Sequence, residues 1–333
     1  MRALVWLMAA LAPLAGTGAT NPVPPDEGEP RVYRLDRAHS DVAFRARYLK
    51  LIDVEGRFRE WDAAIVGAAD PADGAIAIVL RTASLDTGNE RRDEHLKSPD
   101  FFDVERYPTI VFTSGEVVAS GEGFAARGTL RMHGTSREIE VPFEPAYAPT
   151  TDAKGNDRAG FVGQVVVDRK AFGIVGGSRF NRAFDPRVSV IDDEVRIVFG
   201  VHVMVPPIGS PQVDSLVRTV EAEGVGSAVA SWHARFPAGE GEEVERQRLR
   251  MARVHNAAGY RLLEAGRAEE GVELLRLAVL GAPESARAMS GLAEGYARAG
   301  MLDRARDAVG QALERDPHET RALALRAWLA NRP

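Results

Sequence analysis

The sequence predicts a multidomain α and β protein in which an antiparallel β-barrel or β-sandwich is followed by an all-α domain. Apolar and polar residues alternate with a period of two from residue 31 to residue 205, and short polar turns such as Asp70–Gly74 separate the runs. After Pro206, Pro207 and Pro211 the apolar residues recur with a helical period, and small residues reappear at a fixed spacing. The length of 333 residues also exceeds that of one typical domain.

The N-terminus has the layout of a secretory signal peptide. Arg2 precedes an apolar run that ends at Ala15, and small residues continue to Ala19, where we expect cleavage. The alternative is an uncleaved anchor, but the run is shorter than the ~20 apolar residues of a membrane span. We predict a signal peptide at 1–19, a disordered Pro-rich leader at 20–30, and a periplasmic mature protein.

Composition and missing motifs exclude several kinds of site. The chain has no cysteine, which excludes disulfides, thiolate nucleophiles and cysteine metal ligands. A formal net charge of -6 and the lack of a recognisable motif argue against a nucleic-acid partner. The seven histidines show no HExxH spacing, and there is no GxSxG elbow or P-loop. We therefore predict no catalytic residue, no metal ligand and no enzymatic activity.

In the β-rich part, each alternating run places branched and aromatic residues on one strand face. These residues are Val42, Phe44, Ala46 and Tyr48; Ile76, Ile78 and Leu80; Ile139, Val141 and Phe143; Phe161, Gly163, Val165 and Val167; and Val195, Ile197, Phe199, Val201 and Val203. Many short strands of this kind indicate a sandwich or a barrel, and alternation alone does not distinguish the two.

Between two of these strands, residues 84–112 predict a compact helical insertion. Thr87 and Glu90 have the spacing of a capping box at a helix start. Ser98 followed by Pro99 is typical of a second helix start, with proline at the first helical position. We therefore expect two short helices here, before a strand that begins at Thr109.

This insertion, together with four other separated stretches, resembles the YceI-like family of polyisoprenoid-binding, lipocalin-like barrels. The matching stretches are Ser84–Phe112, Tyr33–Phe44, Gly56–Phe58, Gly128–Ser136 and Asp168–Ile174. The resemblance implies that residues 31–205 form a closed lipocalin-like barrel. It also implies a lumen that holds an apolar ligand, and it allows a homodimer.

The C-terminal part contains an internal repeat. A spacing of about 34 residues, the length of a tetratricopeptide repeat, pairs Gly259 with Ala293, Gly266 with Gly300, Gly271 with Ala305, Ala278 with Ala312 and Pro283 with Pro317. These residues resemble the small-residue and terminal-proline positions of that family. We predict a Pro-rich linker at 206–212 and a tetratricopeptide-like domain at 213–333, with a further helical segment at 213–236 and a final capping helix at 320–331.

The candidate lumen residues are Phe44, Ile78, Phe112, Val165 and Phe199. From the sequence pattern alone they are either core or pocket lining. The family resemblance favours pocket lining, because eight-stranded barrels have interiors that side chains fill or that hold one small ligand.

The candidate head-group residues form the densest ionisable cluster of the β-rich part, which comprises Arg91, Arg92, Asp93 and His95. Arg92 and His95 could receive an anionic head group through charge-assisted hydrogen bonds. The alternative is structural, with Arg92 and Asp93 paired to each other or to neighbouring strands.

His39 is a third head-group candidate. It lies beside Asp36 and Ser40 at a predicted strand end. The alternative is that His39 is a hydrogen-bonded strand-end residue and has no contact with a ligand.

These observations predict an exported protein whose barrel sequesters or carries a polyisoprenoid or a similar amphiphile such as a quinone. No other cofactor is expected. Residues 213–333 would dock a protein partner, and the alternative is that they form a rigid appendage packed against the barrel. The alternatives are a non-enzymatic envelope scaffold with a filled barrel, acting through its helical repeats, and an enzyme acting on an isoprenoid.

Overall fold

The structure of the protein, a computed structural model, describes residues 30–67, 74–121, 123–152, 157–177, 190–205, 209–236 and 241–332. The expected signal peptide at 1–19 and all but the last residue of the expected leader lie outside the described residues. The chain divides into two compact units, one built of β-strands and the other of α-helices. The predicted multidomain organisation is thus confirmed.

The β unit is one antiparallel sheet. In the described part of the chain its segments are β1 (Arg31–Leu35), β2 (Asp41–Tyr48), β3 (Ile52–Phe58), β4 (Trp61–Gly67), β5 (Ala75–Arg81), β6 (Leu85–Asp86), β7 (Thr109–Ser120), β8 (Gly123–Met132), β9 (Thr135–Thr151), β10 (Asp157–Asp168) and β11 (Ile191–Val205).

The sheet closes into a barrel of eight strand positions. The order β1-β4-β5-β7-β8-β9-β10-β11 ends where β11 pairs again with β1, through Leu35 and Val203. The rest of β11 pairs with β2, which continues to β3 and β6. A 3-10 turn at Arg37–His39 separates β1 from β2, and another at Thr82–Ser84 separates β5 from β6. The expected lipocalin-like barrel is therefore confirmed.

The insertion between β6 and β7 differs from the prediction at both of its helix starts. It contains α1 (Glu90–Lys97), and its N-cap is Asn89, whose side chain accepts from the Arg92 amide. The predicted cap, Thr87, is wrong because its hydroxyl donates to Asp93 instead.

No second helix follows Ser98 in this described stretch. Ser98 ends α1 and donates from its hydroxyl to the His95 carbonyl. The next amides return to α1, since the Phe102 amide donates to the Leu96 carbonyl, so residues 99–102 form turns. The predicted second helix start is wrong for this reason. The strand predicted from Thr109 is present as β7.

The helical unit comprises α2 (Pro211–Glu223), α3 (Val225–Arg235), α4 (Glu242–Glu264), α5 (Ala268–Gly281), α6 (Ala286–Arg298), α7 (Leu302–Arg315) and α8 (Thr320–Ala330). The first helix begins at Pro211, inside the segment 206–212 expected to be a linker. Ser210 caps this helix by accepting from the Val213 amide, and proline suits the first helical turn. No described helix has both the length and the apolar character needed to cross a membrane.

The helical repeat forms as its spacing predicts. Gly259 on α4 and Gly271 on α5 let two backbones approach, since a Cβ on Gly259 would lie 2.9 Å from the Gly271 oxygen. The matching Ala293 and Ala305 are fully buried between α6 and α7. The final helix α8 covers the expected position after this pair.

A candidate ligand cavity in the barrel

The barrel encloses a cavity of about 590 Å³. This volume lies within the range of ~300–1,000 Å³ that is usual for small-molecule sites. Its wall includes all five candidate lumen residues, which come from five different strands: Phe44, Ile78, Phe112, Val165 and Phe199. The structure therefore brings these residues together around one space.

The wall of the cavity is mostly aliphatic and aromatic. Inward residues on alternating strand positions supply it, as the period of two requires. Besides the five candidates, they include Val42, Phe58, Leu80, Ile110, Leu130, Met132, Ile139, Val141, Val167, Val195 and Ile197. Such a wall favours an apolar ligand, because burial of apolar surface is the main attraction that it offers.

The entrance lies between the β2–β3 hairpin and α1. Among the described residues of the wall, Ile52 and Arg91 are exposed, and the others are half-buried or buried. The hairpin turns sharply at Leu49 and Lys50, whose φ angles are 51° and 60°. Leu51 follows them and is 78% exposed. A ligand would enter past an aliphatic tip on one side and a guanidinium on the other.

Arg91 and Arg92 differ in the donors that they leave for a ligand. Arg92 donates from Nε to the Thr87 hydroxyl at 2.7 Å and from Nη2 to the Thr87 carbonyl at 2.9 Å. Asp93 accepts from the Thr87 amide at 2.9 Å. Arg92 and Asp93 thus both fasten α1 to the chain after β6. The guanidinium of Arg91 has no hydrogen-bond or ion-pair partner among the described residues, and it faces the entrance.

His95 lies at the edge of the same cavity, one helical turn from Arg91. Its Nε2 is 3.2 Å from a carboxylate oxygen of Asp100, and its ring packs edge-on against Phe101 with centroids 5.0 Å apart. The structure therefore brings Arg92 and His95 together at the cavity. It gives both of them protein partners as well.

The structure places His39 elsewhere. This residue ends the 3-10 turn between β1 and β2, is not part of the cavity wall, and contacts Asp36 through Nδ1 at 2.9 Å. Burial alone would raise the pKa of Asp36, but hydrogen bonds from Arg158 and His39 outweigh it and hold this pKa below its usual value. The position of His39 matches the strand-end alternative, away from the other head-group candidates.

Arg169 is a buried cation of the cavity wall that the sequence did not indicate. Its guanidinium donates to the carbonyls of Ile174 at 2.7 Å, Ile191 at 3.0 Å and Asp192 at 3.0 Å. Burial lowers the pKa of Arg169, and the charge of Asp193 opposes this effect. Since backbone carbonyls take up its donors, Arg169 joins the end of β10 to the start of β11. Its position inside the matched stretch Asp168–Ile174 was the available signal.

Among the described residues, no group of three or more His, Asp or Glu side chains is arranged to hold a metal ion. The described wall residues also include no carboxylate. The cavity therefore presents apolar surface and positive charge.

A model of the YceI-like domain family matches residues 33–203, just over half of the chain. This protein belongs to the YceI-like domain family. A tetratricopeptide-repeat model matches residues 262–329, within the helical unit. The first match lies within 31–205 and the second covers part of 213–333.

Two curated relatives are similar to just under half of this chain. A UPF0312 protein of Vibrio cholerae is 35% identical over 141 residues, which cover 41% of this chain and 73% of the relative. A UPF0312 protein of Pseudomonas savastanoi is 34% identical over 166 residues, which cover 47% of this chain and 83% of the relative.

Solved structures with a similar barrel include BcnA of Burkholderia cenocepacia, which is 25% identical with a TM-score of 0.44. The similarity covers 50% of this chain and 98% of BcnA. A polyisoprenoid-binding domain from Saccharophagus degradans is 18% identical with a TM-score of 0.39, and the similarity covers 52% of this chain and 98% of that domain.

Proposed function

We propose that this protein is exported to the periplasm, where its YceI-like barrel sequesters or carries a polyisoprenoid or a similar amphiphile such as a quinone. The cavity carries this proposal. It combines about 590 Å³ of space, a wall of aliphatic and aromatic side chains, and an entrance with a guanidinium that has no described partner. The ligand class matches the polyisoprenoids that the family resemblance implies.

The apolar wall supports a ligand with a hydrocarbon chain on energetic grounds. Each methylene transferred from water to such a wall contributes about 0.8 kcal/mol. A few buried isoprene units therefore supply enough free energy for tight binding, and no polar contact is needed along the chain.

The entrance supports a negatively charged head group. Arg91 has all five N–H donors available, and charge-assisted hydrogen bonds to phosphate or carboxylate are stronger than neutral ones. Arg92 and His95 add positive charge or donors next to it, although both also have protein partners. We assign the main head-group contact to Arg91.

The scaffold alternative requires a filled barrel, and the cavity argues against that requirement. The helical repeats still support a protein partner, because tetratricopeptide repeats stack into surfaces that bind other proteins. We propose that the two units have separate roles, with lipid held by the barrel and a protein bound by residues 213–333.

Native mass spectrometry of the full chain, purified from the periplasm of a bacterial host, tests the lipid assignment. We expect a stoichiometric adduct that organic extraction releases as a polyprenyl or quinone species. Ala46→Trp fills the cavity, and Arg45→Trp on the outer face of the same strand is the matched control. The adduct should disappear in the first variant and persist in the second. An apo mass that stays unchanged when such lipids are added would contradict the proposal.

A further inference from the structure

The cavity occupies only the half of the barrel next to its entrance. On β9, Val141 lines the cavity, but Phe143, the next inward residue, does not. On β10, Val165 lines it, but Phe161 does not; the inward position between them is Gly163, the register partner of Phe143. The boundary therefore lies between Val141 and Phe143 on β9 and between Val165 and Phe161 on β10.

A layer of three half-buried aromatic residues lies beyond this boundary. Phe124 and Phe143 are register partners on β8 and β9, and their rings stack with centroids 5.7 Å apart. Phe161 on β10 meets Phe143 edge-on at 5.6 Å. All three residues pack against the barrel core. Phe143 contacts both of the other rings, so it is the centre of the layer.

On β11 the cavity ends at Phe199, the last residue of this strand that lines it. This residue pairs with Gly163 on β10, and a Cβ on Gly163 would lie 2.5 Å from Cζ of the Phe199 ring. The ring thus covers the backbone of the neighbouring strand. A ligand chain that reaches Phe199 is therefore at the inner end of the described cavity wall on this strand.

We infer that the layer of Phe124, Phe143 and Phe161 sets the maximum length of lipid chain that the barrel buries. This inference rests on the proposed lipid binding. Carbons beyond the filled cavity stay at the entrance and bury no surface, so they add little affinity. Affinity therefore rises with chain length until the chain reaches Phe199, and then it levels off. Removing the Phe143 ring extends the cavity and moves this limit to longer chains.

Competition between farnesyl, geranylgeranyl and solanesyl phosphate for the full-length protein, read by native mass spectrometry, tests this inference. In the wild type we expect solanesyl phosphate to bind no more tightly than geranylgeranyl phosphate. In Phe143→Ala, the affinity for solanesyl phosphate relative to farnesyl phosphate should rise about tenfold. This is the increase expected from burying roughly two more methylenes. Val162→Ala, on the exposed face of the same barrel, is the control and should keep the wild-type order.

Two further variants keep the test decisive. Phe143→Leu shortens the same side chain with less loss of packing and should shift the order in the same direction. Val165→Phe fills the cavity from its wall and should shift the order towards farnesyl phosphate. An unchanged order in all three variants would overturn the inference and leave the proposed function intact. If the wild type bound none of the three probes, both would fail.

Discussion

Gly56 on β3 lies directly opposite Phe44 on β2, and the Phe44 ring occupies the space that a side chain at Gly56 would need. A Cβ on Gly56 would lie 2.3 Å from Cζ of Phe44. The ring lies across β3 and packs against Phe58, with centroids 5.8 Å apart. Both phenylalanines line the cavity. Because Gly56 has no side chain, the Phe44 ring has room to lie over β3 and form part of the cavity wall.

Gly56→Ala should destabilise the barrel. Where the backbone is compatible and space is free, Gly→Ala stabilises by about 0.4–1 kcal/mol through the unfolded state. Here the methyl group overlaps an aromatic ring, so we expect a loss of about 1–3 kcal/mol in the free energy of unfolding. Urea unfolding measures it. In a Phe44→Leu background the cost should shrink, and an equal cost in both backgrounds would show that the ring is not the cause.

Arg169 and its neighbour Lys170 should differ strongly in their contribution to stability. Arg169→Met leaves three backbone carbonyls without their donor, and we expect a loss of at least about 2 kcal/mol. Lys170 makes a partly exposed ion pair with Asp193, so Lys170→Met should cost less than about 1 kcal/mol. Denaturant unfolding of both variants checks this contrast, and similar losses would contradict the assigned role of Arg169.

Substitution of Arg91 should weaken ligand binding, whereas substitution of Arg92 should lower the stability of the protein. Arg91→Gln should weaken the binding of farnesyl phosphate about tenfold, because a charge-assisted contact is lost, and leave the melting temperature unchanged. Arg92→Gln removes two hydrogen bonds to Thr87 and should lower the melting temperature. Farnesol, which has no anionic head group, should bind the wild type and Arg91→Gln equally. A melting temperature lowered by Arg91→Gln would show a structural role instead.

The helical unit should lose stability as the pH falls. His255 is buried against Trp232, and this burial lowers its pKa below the usual value, although its hydrogen bond to the Met251 carbonyl opposes the shift. In the unfolded chain His255 takes up a proton near the ordinary histidine pKa of about 6.5, whereas in the folded unit it is protonated only at a lower pH. The contribution of His255 is thus complete above about pH 6.5 and is lost as the pH falls through the folded pKa.

Far-UV circular dichroism during denaturant unfolding, repeated between about pH 8 and about pH 5, measures this effect. The slope of stability against pH should flatten in His255→Phe. His233 is exposed on α3, and His233→Gln should keep the wild-type slope. A slope that is unchanged in His255→Phe would assign the effect to other groups.

Strand alternation predicted which residues share a strand face, and the family resemblance favoured that face as the cavity wall. Phe44, Ile78, Phe112, Val165 and Phe199 face one space because inward positions repeat every second residue. The same rule could not show where the cavity ends. Phe143 and Val141 have the same periodicity, and only packing across three strands distinguishes the filled level from the open one.

The polar residues were harder to predict, because their partners are set by the fold. Arg91 and Arg92 are adjacent and chemically identical, yet Arg92 uses two of its donors in hydrogen bonds to Thr87, whereas Arg91 uses none in a described contact. Arg169 is held by carbonyls of Ile191 and Asp192, which lie on the next strand. Asn89 is the helix cap and Thr87 is not, because the Thr87 hydroxyl donates a hydrogen bond to Asp93.

A crystal structure of the protein saturated with geranylgeranyl phosphate would show whether the barrel holds a lipid chain. We expect continuous density for the chain inside the barrel, in contact with Phe44 and Phe112 and ending at Phe199. The phosphate should lie beside Arg91 at the entrance. Density for the lipid outside the barrel, or a barrel interior that stays empty at saturation, would contradict the account.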